Sequence, residues 1–92
     1  MREAKLTVKH QVGLHARPAA KFVKLIKGFE SDVQIKNLTR GGPTVSAKSL
    51  VRLVKIAVAQ GHEIHVTVDG PDENDAIKAI RSFIDNVMEE QQ

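Results

Sequence analysis

A chain of 92 residues, 41% hydrophobic and 27% charged, has the usage of an ordinary globular protein, which excludes the disordered and membrane-spanning classes, and its length suits one domain, 1–92. The lack of cysteine removes disulfide frameworks, thiol catalysis and thiolate zinc sites, and a net charge of +3 favours acidic partners while leaving protein and nucleic acid both open. Apolar runs of no more than four residues predict no transmembrane helix, and the charged start Met1-Arg2-Glu3-Ala4-Lys5 predicts no signal peptide, so the expected compartment is the cytoplasm.

Ala4, Leu6 and Val8 alternate with Lys5, Thr7 and Lys9, the period of two that marks a half-buried first strand. Over 16–29, a projection at 100° per residue collects Ala19, Phe22, Val23, Leu25 and Ile26 on one arc and Arg17, Lys21, Lys24 and Lys27 on the other. This predicts an amphipathic helix that Gly28 ends. Val33 and Ile35 alternate with Asp32, Gln34 and Lys36 in a second strand. Thr39-Arg40-Gly41-Gly42-Pro43 is dense in turn formers and leads to a short third strand around Val45, completing a hairpin. A second helix is predicted over about 48–60, with Leu50, Leu53, Val54 and Ala57 on its apolar face, Lys48, Arg52 and Lys55 opposite, and Gly61 as its stop. Ile64, Val66 and Val68 alternate with Glu63, His65, Thr67 and Asp69 in a fourth strand, which Gly70-Pro71 breaks. The last helix runs to about Met88, burying Ala76, Ile77, Ile80, Phe83, Ile84 and Val87, with Asp72, Glu73 and Asp75 in its first turn where the dipole favours acids. The order βαββαβα predicts an α+β fold, an open-faced sandwich in which three helices cover one face of a four-stranded antiparallel sheet.

The stretch Gly13-Leu14-His15-Ala16-Arg17-Pro18-Ala19-Ala20 joins the first strand to the first helix and sets a histidine at a helix N-terminus. The first backbone N–H groups there lack partners within the helix, and the dipole adds partial positive charge, so an anion near His15 would be held, phosphate above all. Pro18 suits a first turn, Gly13 lets the chain turn tightly, and the Arg17 guanidinium offers forked donors that match phosphoryl oxygens. An imidazole with an ordinary pKa of about 6.5 is largely neutral at neutral pH and hence nucleophilic, and positive helix-end potential pushes it further that way. The same potential favours the dianion once a phosphoryl group is attached. From spacing alone, a histidine that merely caps the helix explains the pattern equally well.

Gly13 to Ala20 resembles the active-site motif of the HPr family, the histidine-containing phosphocarriers of the phosphoenolpyruvate-dependent sugar phosphotransferase system (PTS). Ala47-Lys48-Ser49-Leu50 is similar to the family's serine motif, and Gln60-Gly61 and Gly70-Pro71-Asp72-Glu73 extend the likeness over nearly the whole chain. The resemblance implies a carrier and not a free-standing enzyme, without cofactor or metal. His15 would take phosphate on Nδ1 from enzyme I and pass it to sugar-specific IIA domains, with Ala16 and Arg17 binding the phosphoryl group. It also implies a docking surface of Leu50, Val51, Arg52, Val54 and Lys55 on the serine-bearing helix and Ala16, Ala20, Lys24 and Lys27 on the first. Small apolar contacts ringed by positive charge suit a transient acidic partner, and a solvated helix face accounts for the lysines as well. Ser49 is the candidate regulatory phosphorylation site, for an HPr kinase/phosphorylase, and Ser46 is not the match; either serine also suits an N-cap. A monomer that does not insert into membranes is expected. The chain departs from the family pattern at Val12, where many relatives carry Asn or Ser, and in the turn 40–43, which is longer than usual. Arg52 is similar to the basic residue of enteric carriers.

A nitrogen-regulatory PTS carrier is the alternative within the family, although those often lack the proline that Pro18 supplies. A metal site of His10, His15, His62 and His65 is disfavoured, because His62 and His65 would face opposite sides of a strand and no HExxH spacing occurs; they read as surface or edge residues. A small basic α+β nucleic-acid or partner-binding module is the alternative from another class. All three Phe fall on helical stretches, which leaves no strand platform for stacking bases, so no nucleic-acid partner is expected.

Overall fold

The alternation in the sequence decides which side of each strand is buried. In β1 (Arg2–Thr7), Ala4 and Leu6 are buried while Glu3, Lys5 and Thr7 face solvent; β4 (Glu63–Asp69) buries Ile64, Val66 and Val68 in the same way. β2 (Asp32–Asn37) and the two-residue β3 (Val45–Ser46) complete an antiparallel sheet of order β1-β4-β2-β3. The register sets Ala4, Val66 and Ile35 in one cross-strand row and Leu6, Ile64 and Asn37 in the next, so the apolar positions coincide on one face. This computed structural model describes residues 1–8 and 16–87.

Helices α1 (Ala16–Lys27), α2 (Leu50–Lys55) and α3 (Glu73–Ser82) contribute the other half of the core. The predicted arc of α1 is the buried one, with Ala19, Phe22, Val23 and Ile26 inside and Leu25 packed against them. Ala76, Ile80, Phe83 and Ile84 come from the last helix, and the Phe22 and Phe83 rings meet at 5.3 Å between centroids, tilted by 51°. The β2–β3 hairpin and the open-faced βαββαβα order stand as the sequence predicts.

Three boundaries differ from the sequence pattern. The second helix holds only six residues instead of reaching 60, and Ala57 sits at φ +52, in the left-handed region, where it closes on Val54 through an N–H···O=C bond of 3.1 Å. Ile56, the C-cap at φ −76 and ψ −4, and Val58 beyond it are still buried, although the helix has ended. Gly61 is therefore no helix stop; at φ +85 it turns the chain into β4 and donates its N–H to Val8 O at 2.7 Å. The last α-helix ends at Ser82 and continues as a π-helical turn over Phe83–Val87, with the Phe83 N–H shared between Ala79 O and Ile80 O; Met88 lies outside the described residues. Leu50, expected on a buried face, is 40% exposed because the short helix presents only Leu53 fully to the core.

Asp72 anchors the start of α3. Its carboxylate accepts the N–H groups of Glu30 and Ser31, both at 2.9 Å, and the Ser31 hydroxyl. It spends itself on the approach to β2 and leaves its own helix without a side-chain cap. The hydroxyl bond first, and then the Glu30 N–H, hold Asp72 below the ordinary carboxylate range.

Candidate functional site

Chain connectivity places His15 immediately ahead of Ala16, where the twelve-residue α1 begins, and no acid occupies that helix's first turn. An anion beside the helix start therefore meets no carboxylate of that turn. His15, together with His10 and Val12, lies outside the described residues, and so do the side chains of Ala16, Arg17 and Pro18. Further along α1, Ala20, Lys24 and Lys27 are exposed.

α2 packs beside α1 and begins at Ser49. Ser49 is extended at φ −107 and ψ 111, and its Oγ accepts the Arg52 N–H at 3.4 Å, the geometry of an N-cap. Ser46 caps nothing helical; its Oγ accepts the Lys48 N–H at 3.2 Å. Lys48 lies before the helix instead of on its polar face, and its Nζ donates to Phe29 O at 3.1 Å, just beyond the C-terminal end of α1. Beyond the cap, Leu50 and Val51 are 40% and 65% exposed, Arg52 and Lys55 are exposed, and Val54 is half-buried against the core. An exposed leucine–valine pair flanked by cations is thus the apolar surface of this helix.

The long turn after β2 borders the same helix. Pro43, Thr44 and Val45 line a cleft of about 350 Å³ with Arg52, Lys55 and Ile56. Asn37 holds both walls: its buried amide donates to Ile56 O at 3.1 Å and lies 3.0 Å from His62 Nδ1, and its Oδ1 accepts the Arg40 N–H at 3.0 Å. His62 Nδ1 also accepts the Ala59 N–H at 3.1 Å, so this nitrogen carries no proton and Asn37 is the donor to it. His62 is half-buried in this network and precedes β4, while His65 on the open sheet face meets Glu3 Oε1 at 2.9 Å, so the two imidazoles serve different neighbours. The sequence pattern does not flag Asn37, whose only signal is an amide at a strand end ahead of a glycine-rich turn, and it reads His62 as a surface or edge residue, whereas the imidazole is half-buried in this network.

A sheet open on one side, with three helices on the other, defines the open-faced α+β sandwich class, and residues 2–86 match the family model described as "PTS HPr component phosphorylation site". The phosphocarrier protein HPr of Xylella fastidiosa is 38% identical over 90 residues, covering 98% of both chains. HPr of Thermoanaerobacter tengcongensis, in the crystal structure of HPr-C-His, superposes with a TM-score of 0.88 at 34% identity and 97% coverage of each chain. The multiphosphoryl transfer protein of Haemophilus influenzae is 40% identical over 84 residues, which are 91% of this chain and 17% of that protein, so the chain spans about a fifth or less of such relatives. The chain belongs to the HPr family of PTS phosphocarriers, which carry phosphate as a relay component. No helix among the described residues is long and apolar enough to cross a membrane.

Proposed function

We propose that this chain, acting as one domain over 1–92 in the cytoplasm, receives a phosphoryl group on His15 from phospho-enzyme I and delivers it to the IIA domains of sugar permeases. The observation that carries the reading is Gly13-Leu14-His15-Ala16-Arg17-Pro18-Ala19-Ala20 running into the first turn of α1 within a chain of this family. In the first transfer the lone pair of a neutral imidazole nitrogen, Nδ1 of His15, forms the new N–P bond as the donor's bond to phosphorus breaks and the donor recovers its electron pair; in the second, the acceptor's nucleophile forms the new bond to phosphorus as the His15 N–P bond breaks and Nδ1 recovers its pair. The proton on Nε2 stays where it is, so no general base is needed and the step is reversible. The helix N-terminus and Arg17 stabilise charge on the phosphoryl oxygens. The chain is regenerated by each acceptor and acts as a carrier rather than an enzyme.

Partners dock on α1 and α2. Leu50 and Val51 supply apolar contact, while Lys24, Lys27, Arg52 and Lys55 steer an acidic surface toward it. Ser49, which caps α2, is the regulatory position for an HPr kinase/phosphorylase, where a phosphate would set negative charge beside that basic face. The test is a reconstituted relay with labelled phosphoenolpyruvate, enzyme I, this chain and an IIA domain. Label should reach the IIA domain only when the chain is present. His15→Ala should stop it, and Arg17→Ala should slow it by about 100-fold, the scale of one transition-state donor. Passage of label unaffected by His15→Ala would refute the assignment.

A further inference from the structure

At the Arg2 end of β1, the strand and one face of α3 border an open groove of about 420 Å³, lined by Arg2, Glu3, Asn74, Ile77, Lys78 and Arg81. Asn74, Ile77, Lys78 and Arg81 stand at i, i+3, i+4 and i+7 of one helix and so share its face. Arg2 Nε donates to Asn74 Oδ1, which ties the first strand's guanidinium to that face. The groove's acid, Glu3, is engaged by His65 Nε2 at 2.9 Å, and the nearby Glu73 lies 2.9 Å from the Met1 amine and 3.9 Å from Arg2 Nε. Lys78 and Arg81 make no ion pair among the described residues. Three cations thus line one groove against a single lining carboxylate, whose Oε1 is held by the His65 ring. Half-buried Ile77 adds an apolar wall, and the volume falls in the roughly 300–1,000 Å³ that small-molecule sites occupy.

We propose that this groove binds a compact organic polyanion, a phosphomonoester or a di- or tricarboxylate, between the guanidinium groups of Arg2 and Arg81 and the ammonium of Lys78. Two forked guanidinium groups favour ligands with paired anionic oxygens over monovalent anions. None of the groove's lining residues belongs to the stretch Gly13 to Ala20, so the inference does not rest on the transfer reading.

The test is an NMR titration of the full chain at low ionic strength, with sodium pyrophosphate and sodium citrate as separate probes. Saturable amide shifts at Arg2, Asn74, Lys78 and Arg81 are expected with at least one probe, and comparison of the two separates phosphate from carboxylate preference. Arg81→Ala should weaken binding by about tenfold, the loss of one charge-assisted contact, and Lys78→Gln provides a second variant that leaves the Arg2–Asn74 bond intact. Absence of saturation at these amides with both probes would overturn the proposal. Shifts spread equally over Lys24, Lys27 and Lys55, shifts confined to the start of α1, or affinity unchanged in both variants would overturn it too.

Discussion

Replacing Asn37 with alanine tests whether one buried amide holds the end of α2 to the sheet. The substitution strands Ile56 O, which is buried and loses its donor, at a cost of about 1–3 kcal/mol. The Arg40 N–H loses its acceptor at an exposed turn where water replaces it, adding about 0.5–1 kcal/mol. His62 Nδ1 keeps the Ala59 N–H and adds little. The expected loss is therefore about 1.5–4 kcal/mol, a large share of the roughly 5–15 kcal/mol that stabilises a domain of this size. Urea denaturation followed by circular dichroism measures it directly, and faster amide exchange in Leu50–Lys55 should accompany it, since Ile56 is the C-cap of that helix. Asn37→Leu should not restore stability, because the orphaned carbonyl remains. A loss below about 1 kcal/mol, with the amides of Ile56 and Ala59 unshifted, would mean that Asn37 does not hold Ile56 in place.

Ala57→Gly should stabilise the protein by about 1 kcal/mol, because a left-handed φ of +52 costs an alanine more than a glycine loses in chain entropy; the urea midpoint reads it. Ser49→Ala should cost about 0.5–1 kcal/mol, the low end for an N-cap whose bond is 3.4 Å long, whereas Ser49→Asp should keep the cap yet weaken binding of enzyme I, measured by calorimetry. The folded-state pKa of Asp72 is depressed, so its contribution is complete above the ordinary carboxylate range and lost as pH falls through the folded value. Stability should therefore decline below about pH 4, with a shallower acid limb in Ser31→Ala, as urea midpoints across pH will show.

The strands were legible because a period of two survives in a sheet covered on one side: the buried positions of β1 and β4 follow from alternation alone. The length of α2 was not, since Ile56, Ala57 and Val58 continue a helical apolar spacing. Beyond the helix end, Asn37 draws on Ile56 O from 19 residues away, which no local pattern shows, and His62 takes up the Ala59 N–H three residues on. Leu50 was misread for the same reason, because a helix of six residues has too narrow a buried face to include it. The Ser31–Asp72 clip joins residues 41 apart, and the cleft beside Arg52 depends on where the turn folds back, neither of which any local pattern encodes. The candidate site divides along the same line. Gly13 to Ala20 is a contiguous motif that sequence displays in full, while the proposed docking face depends on the packing of α1 beside α2.

Intact mass spectrometry after incubation with enzyme I and phosphoenolpyruvate reads whether His15 carries the phosphoryl group. A single gain of about 80 Da, labile in acid as a phosphoramidate is and absent from His15→Ala, is the expected result. A gain that survives acid, or that persists in His15→Ala, would contradict it.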